Sequence, residues 1–170
     1  MKKRLSKKAL ISVCTLIAVL LVLIIWTIWG NTALMVSTVT VSSNRIPAAF
    51  NGFLIAQVSD LHNAVFGENN AELLQILSEC KPNIIVVTGD LVDAEHTDID
   101  VALDFAKEAA QIAGTYYVTG NHEGSLSQYD ELKTGLESMG VVVLEDASMQ
   151  LEYNGAVSYT HLTLPPNSRV

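Results

Sequence analysis

The chain has 170 residues, which is enough for one domain of ordinary size or for a membrane segment joined to a smaller domain. It carries 10 basic and 18 acidic side chains, and half of the basic ones lie within the first eight residues. Because the rest of the chain is strongly acidic, binding of nucleic acid through a basic surface is not expected.

A long apolar run follows this basic amino terminus. Residues 9–29, from Ala9 to Trp29, include no charged side chain, and a helix of 21 residues is long enough to cross a hydrocarbon core. The run therefore predicts a transmembrane helix. The basic cluster before it, and Trp26 and Trp29 near its end, favour a cytoplasmic amino terminus and a domain outside the membrane. A cleaved signal peptide is the alternative, although no clear cleavage site follows the run.

Strand-like and helix-like segments alternate along the rest of the chain. Residues 33–42 alternate polar and apolar side chains, which predicts a first strand. Four apolar runs predict further strands at residues 53–59, 83–90, 115–120 and 141–146, and helical spacing of apolar residues predicts helices at residues 69–82, 97–112 and 126–139. Such alternation indicates right-handed βαβ units and a mainly parallel sheet covered by helices, an α/β fold. Asn154 and Gly155 then predict the turn of a β-hairpin.

Local signals predict where the helices begin, end and face the core. Asn69 or Asn70 is predicted to cap the first helix after the membrane segment, Pro82 to stop it, and Gly114 to end the next one. Four residues of that second helix are expected to face inward: Ile99, Leu103, Ala106 and Ala110.

Polar side chains of metal-ligand type follow three of the predicted strands. Asp60 and His62 come after the first of these strands, Asp90 after the second, and Asn121 and His122 after the third. The carboxyl ends of parallel strands lie along one edge of a sheet, so these five residues are expected to converge. If the chain is still extended there, Asp60 and His62 point the same way and reach one ion.

Carboxylate, imidazole and amide oxygen together suit a hard or borderline divalent cation such as zinc, manganese or iron. Asp90, central among the strands, is placed to bridge two ions about 3.5 to 4 Å apart, an arrangement that activates hydroxide and binds phosphate oxygens. Gly89 and Gly120 directly precede Asp90 and Asn121, where a sharp turn favours a residue without Cβ. The structural alternative is that Asp60, Asp90 and Asn121 are helix caps or turn formers.

The segments "DLH", "GD" and "GNHE", in this order and at these spacings, resemble the calcineurin-like metallophosphoesterase superfamily, and their surroundings resemble its bacterial membrane-associated branch. The resemblance covers residues 53–146. It implies a two-layer β-sandwich flanked by helices with two divalent ions, Mn, Fe or Zn. By the same resemblance, Asp60 and His62 bind the first ion, Asp90 bridges, and Asn121 binds the second. His122 is then the catalytic residue beside the scissile phosphate, and Glu123 orients the residues around it.

The chain departs from that family after residue 146. Family members continue with a further His-bearing loop and a GHxH motif, and here His161 is the one remaining candidate ligand. The tail from about Val157 resembles a sequence that is unrelated to this family. These features predict an amino-terminal fragment with residues 1–30 as tail and membrane helix, residues 31–156 as an incomplete domain, and residues 157–170 as a non-native or disordered tail. One sheet face is then expected to be exposed, and activity is expected to be weak or absent.

Two residues of the acidic segment that follows Asp90 are predicted to have structural roles and not catalytic ones. Asp93 is predicted to start a helix or to accept hydrogen bonds outside the metal shell, and His96 is predicted to face solvent.

The function that the resemblance implies is metal-dependent hydrolysis of a phosphomonoester or phosphodiester at the outer face of the membrane. The membrane anchor suggests a lipid-linked, cell-wall or extracytoplasmic phosphoester as substrate. A nucleotidase or nuclease of the same superfamily is another enzyme class, which the acidic surface disfavours for duplex DNA. The alternative from a different class is a catalytically dead, membrane-tethered binding module of the same fold.

Overall fold

The structure is a computed structural model that describes residues 6–145 and 147–160. The predicted ligand candidate His161, the rest of the tail beyond Thr160 and the basic residues Lys2, Lys3 and Arg4 lie outside the described residues. The chain divides into two compact units, residues 1–38 and 39–170.

The first unit is built around one helix, α1 (Lys7–Thr32). Within it, the segment Leu10–Thr27 has a mean hydropathy of 2.8, and none of its residues is buried against the rest of the protein. This helix is therefore long and apolar enough to cross a membrane. It includes the whole of the predicted membrane segment, residues 9–29.

The prediction of a strand at residues 33–42 is wrong, because this segment has no regular secondary structure. Met35 is 85% exposed and Val36 is 61% exposed, and Val39 and Val41 are 82% and 75% exposed. Neither alternating face of the segment is buried, and among the residues that the structure describes no strand pairs with it. A period-two pattern alone does not form a strand when both of these contributions are missing.

The second unit holds a four-stranded parallel sheet in the order β1-β2-β3-β4. Its strands are β1 (Ile55–Val58), β2 (Ile84–Thr88), β3 (Gly114–Val118) and β4 (Val142–Val143). The connecting helices are α2 (Ala71–Cys80), α3 (Ile99–Ile112), the short α4 (Asn121–Gly124) and α5 (Tyr129–Ser138). The predicted α/β fold with a parallel sheet covered by helices is confirmed.

One face of this sheet forms the centre of the core. Ala56, Ile85 and Thr115 are in register, as are Val58, Val87 and Tyr117, so all six share a face. Ile85 and Tyr117 are completely buried. On the other face, the outer-strand residues Ile55 and Val142 are 46% and 42% exposed, whereas Ile84 and Val86 between them are buried. The most exposed apolar side chains of that face therefore lie on the two outer strands.

The helix boundaries differ from the prediction for local reasons. Asn70 is the residue before α2, but its side chain makes no cap hydrogen bond. Its Oδ1 instead accepts a hydrogen bond from the backbone N–H of Phe66 at 3.0 Å. Helix α3 is capped by Asp98, whose carboxylate accepts from the N–H of Val101, and Gly114 opens β3 instead of ending the helix.

The buried stripe of α3 is also rotated from the predicted one. Its buried residues are Ala102, Phe105, Ala106 and Ala109. Of the four residues that were expected to face inward only Ala106 belongs to this stripe, because the aromatic ring of Phe105 packs in the core and brings the small alanines beside it inward.

A separate hairpin follows the sheet. Strand β5 (Met149–Tyr153) pairs antiparallel with β6 (Ala156–Thr160). Asn154 and Gly155 have φ values of 49° and 74°, the paired left-handed conformation of a two-residue type I′ turn. This predicted hairpin is confirmed, and its second strand includes residues 157–160.

Candidate metal centre

The loops after β1 and β2 run side by side and bring the first predicted ligands together. The N–H of Asp60 donates to the carbonyl of Gly89 at 3.2 Å, and the N–H of His62 donates to the carbonyl of Asp90 at 2.9 Å. These hydrogen bonds continue the contact between the two strands past their ends. The side chains of the first loop are therefore held against the turn that carries Asp90.

Asp60, His62 and Asp90 form one compact group of metal-ligand atoms. One ligand atom from each of the three lies within 4.8 Å of the others. Asp90 is buried and Asp60 is exposed, so the group lies at the surface end of the sheet with one wall inside the protein. Two carboxylates and an imidazole are a donor set that a divalent cation fits.

The backbone of this group is left-handed, so the condition of an extended chain, on which Asp60 and His62 were expected to point the same way, is not met. The φ values are 56° at Asp60, 46° at His62 and 50° at Asp90. Asp and His enter this region more readily than most residues, but it remains an uncommon conformation. The two side chains therefore converge through tight left-handed turns rather than through the two-residue repeat of a strand.

The third strand joins the site through Asp90. The Oδ1 of Asp90 accepts a hydrogen bond from the backbone N–H of His122 at 2.9 Å. Gly120 makes this approach possible, because a Cβ at that position would collide with the backbone nitrogen and Oδ1 of Asp90 and would lie 2.8 Å from its Cγ. The φ of Gly120 is −97°, so close packing and not the predicted sharp turn requires glycine there. At Gly89, with φ +84°, the turn itself does.

Glu123 connects the loops after β2 and β3 from beneath. Its side chain is 1% exposed. Oε2 accepts from the N–H groups of Asp90 at 2.9 Å and Gly120 at 2.8 Å. Oε1 accepts from the N–H groups of Leu91 at 2.7 Å and Val92 at 3.2 Å. One buried carboxylate thus satisfies four backbone donors and fixes the turn that presents Asp90.

His122 is held by both its backbone and its ring. Its Nδ1 accepts a hydrogen bond from the backbone N–H of Ala94 at 3.1 Å. Since an accepting nitrogen carries no proton, this contact assigns the ring proton of the neutral imidazole to Nε2. The ring also meets that of His62 edge-on, with centroids 4.5 Å apart and planes at 75°.

A second group of ligand atoms overlaps the first. His62, Asp93 and His122 also have one ligand atom each within 4.8 Å of the others, and His62 is common to both groups. The Oδ1 of Asp93 already accepts from the N–H groups of Glu95 at 2.7 Å and His96 at 3.0 Å. This is a turn, in line with the structural role predicted for Asp93. Asn121, the remaining predicted ligand, begins α4 and has an exposed side chain.

Two ionisable groups beside the site have shifted pKa values. Backbone hydrogen bonds from His96 and then Glu95 lower the pKa of Asp93. Burial, and next the charge of Glu123, raises the pKa of the Tyr117 phenol. The Tyr117 hydroxyl lies close to Glu123 without a hydrogen bond of standard geometry.

Two polar residues at the site were missed by sequence reasoning. The hydroxyl of Ser59 lies within hydrogen-bonding distance of the Asp60 carboxylate and of the Thr88 carbonyl. The side chain of Asn63 contacts the loop after β2 at two points. Both flank Asp60 and His62 in "SDLHN", but Ser and Asn next to a strand end read as ordinary loop residues, so only their position beside the motif hinted at a role.

Comparison with known proteins gives consistent matches. Residues 53–161 match the family described as calcineurin-like phosphoesterase. A "transmembrane protein with metallophosphoesterase domain" from Bos taurus is 29% identical over 123 residues, which cover 71% of this chain and 28% of that protein. The "uncharacterized metallophosphoesterase YkuE" of Bacillus subtilis is 31% identical over 88 residues, 49% of this chain and 31% of that protein.

Among solved structures, phosphopantetheinyl hydrolase (PptH) from Mycobacterium tuberculosis is similar with a TM-score of 0.45 and 20% identity, over 62% of this chain and 40% of that chain. The chain spans less than a third of the length of either curated relative named above.

Proposed function

The chain belongs to the calcineurin-like phosphoesterase family, and from that premise we propose that the protein hydrolyses phosphoesters with two divalent ions held at the ends of β1, β2 and β3. The observation that carries this proposal is the convergence of Asp60, His62 and Asp90, whose ligand atoms lie within 4.8 Å of one another. His122, hydrogen-bonded to Asp90 through its backbone, is the catalytic residue of this proposal and donates a hydrogen bond to the phosphoester.

Asp60, His62 and Asp90 would hold the first ion, and Asp90 with Asn121 the second. We favour this set over the overlapping group of His62, Asp93 and His122. One carboxylate oxygen of Asp93 already accepts hydrogen bonds from two backbone N–H groups, and Nδ1 of His122 accepts a hydrogen bond from the N–H of Ala94. Manganese, iron and zinc all suit the donor set.

Divalent ions at this site would supply Lewis-acid activation of a water molecule and neutralise the charge of the phosphate oxygens. The chain's own residues provide the geometry. Because Nδ1 accepts the N–H of Ala94, the neutral ring of His122 would donate a hydrogen bond from Nε2–H to the leaving oxygen of the ester and stabilise the negative charge that develops there, while the proton of the leaving group comes from water. Glu123 keeps Asp90 and Gly120 in place while this happens. The substrate is a phosphomonoester or a phosphodiester.

We expect the two ions to bind with different strength. The first has three side-chain ligands among the described residues, and the second has Asn121 and the shared Asp90. Fewer protein ligands mean weaker binding. Within residues 31–156, which we propose as the catalytic unit, activity is therefore expected to be weak and to rise with metal concentration.

Hydrolysis of simple chromogenic esters by the full chain in detergent micelles tests this function. With Mn²⁺ we expect slow turnover of p-nitrophenyl phosphate, of its bis ester, or of both, and loss of that turnover with EDTA. Replacement of His122 by alanine is expected to lower kcat by about a hundredfold or more, the usual loss when a hydrogen-bond donor to developing charge is removed. Metal binding without turnover of either ester would instead favour the membrane-tethered binding module.

For the membrane, we propose that α1 is a single anchor with a cytoplasmic amino terminus and that the site faces outward, towards a lipid-linked or cell-wall phosphoester. The apolar stretch Leu10–Thr27 supports an anchor. A relative described as a transmembrane protein supports the same view.

The two cysteines of the chain offer a test of this orientation. Cys80 ends α2 and is partly exposed, whereas Cys14 lies within α1. A membrane-impermeant maleimide is expected to label Cys80 in intact cells that produce the chain, and the variant Cys80→Ser should lose that label. Labelling of Cys80 only after lysis would show that the domain faces the cytoplasm.

A further inference from the structure

Asn63 is the residue that links the loop after β1 to the imidazole of His122. We infer that Asn63 is a positioning residue: by holding residues 93–98, here called the 93–98 loop, it keeps the proton of the His122 ring on Nε2. The catalytic meaning of this inference rests on the proposed function, in which Nε2–H of His122 donates a hydrogen bond to the leaving oxygen. The link itself is a property of the hydrogen bonds.

The amide of Asn63 holds the 93–98 loop at both of its ends. Its Oδ1 accepts from the backbone N–H of Asp93 at 2.6 Å, and its Nδ2 donates to the carbonyl of Asp98 at 2.5 Å. The side chain is half-buried, so water competes less for these bonds than at an open surface. Both polar atoms of one amide thus bind the first and last residues of the loop.

The N–H that reaches His122 belongs to the residue next to the first of these contacts. Ala94 donates to His122 Nδ1 at 3.1 Å and follows Asp93 directly. The planar peptide between Asp93 and Ala94 carries this N–H and the carbonyl of Asp93, which accepts from the hydroxyl of Thr97 at 2.8 Å. Asn63 anchors both ends of the loop that contains this peptide, and so holds the donor in place although it does not touch the imidazole.

Other hydrogen bonds of the loop do not replace this tie. The carboxylate of Asp93 accepts from Glu95 and His96, and the hydroxyl of Thr97 donates to the carbonyl of Asp93 at 2.8 Å. All of these lie within the loop and maintain its shape. Glu123 fixes the backbone only as far as Val92. Among the described side chains, Asn63 is the one that fastens both Asp93 and Asp98 to the β1 side of the site.

The conformation of Asn63 determines which substitutions are informative. Its φ is +60°, a left-handed value that alanine adopts only with strain and that glycine adopts freely. Asn63→Gly therefore removes both hydrogen bonds without adding strain. Asn63→Asp keeps an acceptor for Asp93 but loses the donor to Asp98. Asn51→Ala is the matched control, because Asn51 has an exposed side chain and a φ of −62°.

Ring-nitrogen NMR of the metal-free full chain, labelled with ¹⁵N-histidine and held in detergent micelles, tests the link without reference to activity. The His122 signals are identified by their loss in His122→Gln. In the parent chain and in Asn51→Ala we expect one neutral tautomer with the proton on Nε2. In Asn63→Gly we expect a mixture of both tautomers, and in Asn63→Asp a smaller shift in the same direction.

Steady-state kinetics with Mn²⁺ then separate the link from its catalytic meaning. In Asn63→Gly, kcat is expected to fall on the order of two- to tenfold with little change in KM, which is less than the loss of the His122 hydrogen bond itself would cause. A pure Nε2–H tautomer in Asn63→Gly would overturn the inference. A mixed tautomer with unchanged kcat would leave the link standing and overturn the role of Nε2–H of His122 as the hydrogen-bond donor to the leaving oxygen.

Discussion

Replacing Asp90 by asparagine is expected to lower Mn²⁺-dependent hydrolysis by roughly a thousandfold, which corresponds to about 4 kcal/mol of lost transition-state stabilisation. Asp90 is the proposed ligand of both ions, and its neighbours Asp60 and His62 together cannot replace a bridging carboxylate. The amide oxygen of asparagine still accepts the N–H of His122, so the fold is expected to persist. Turnover and Mn²⁺ affinity, the latter by calorimetry, are the quantities to measure.

Two other aspartates provide controls for this variant. Asp104→Asn, at an exposed position on α3, should change neither turnover nor metal affinity. Asp93→Asn should keep most of the metal affinity, because we assign Asp93 to a turn and not to an ion. If Asp93→Asn lost Mn²⁺ binding while Asp90→Asn kept it, the group of His62, Asp93 and His122 would hold the ion, and the bridging assignment would be wrong.

Replacing Glu123 by alanine is expected to lower the free energy of unfolding by about 3 to 5 kcal/mol. The substitution leaves four backbone N–H groups without their acceptor, and three of these four hydrogen bonds are buried. Glu123→Gln retains one acceptor oxygen and places an NH₂ group against the other donors, so about half of that loss is expected. Urea titration followed by the near-ultraviolet circular dichroism of the tyrosines measures both, since the two tryptophans lie in α1.

Glu137→Ala on α5 is the matched control for this experiment. Its side chain is exposed, so the free energy of unfolding should change by no more than about 0.5 kcal/mol. A Glu123→Ala protein as stable as Glu137→Ala would mean that the four amides find other partners, and Glu123 would then lose its proposed role in holding the turn of Asp90.

The order of elements and the place of the site could be predicted because both are written in short-range patterns. Buried parallel strands such as Ile84–Thr88 are continuous apolar runs, and α2 and α3 show helical spacing. The direction of a parallel sheet then brings Asp60, Asp90 and His122 to one edge without any knowledge of side-chain contacts. The Asn154-Gly155 turn could also be predicted from the sequence, since few dipeptides readily place two successive residues in the left-handed conformation.

What could not be predicted depends on contacts distant in sequence. The left-handed turns at Asp60 and His62 follow from hydrogen bonds to the loop after β2, and the sequence "SDLHN" contains no sign of them. Gly120 is explained only by the carboxylate of Asp90 packed against it, which lies thirty residues earlier. The period-two pattern of residues 33–42 failed for the opposite reason, since no partner strand was there to turn a local preference into structure.

The four hydrogen bonds of Glu123 also have a kinetic consequence. The N–H groups of Asp90, Leu91, Val92 and Gly120 belong to two loops but share one acceptor group, so none of the four is released fully unless that carboxylate moves away. Their exchange with solvent deuterium is therefore expected to follow a single opening event with a common protection factor. The loops after β2 and β3 would then move together, and a substrate that displaces one of them would also displace the other.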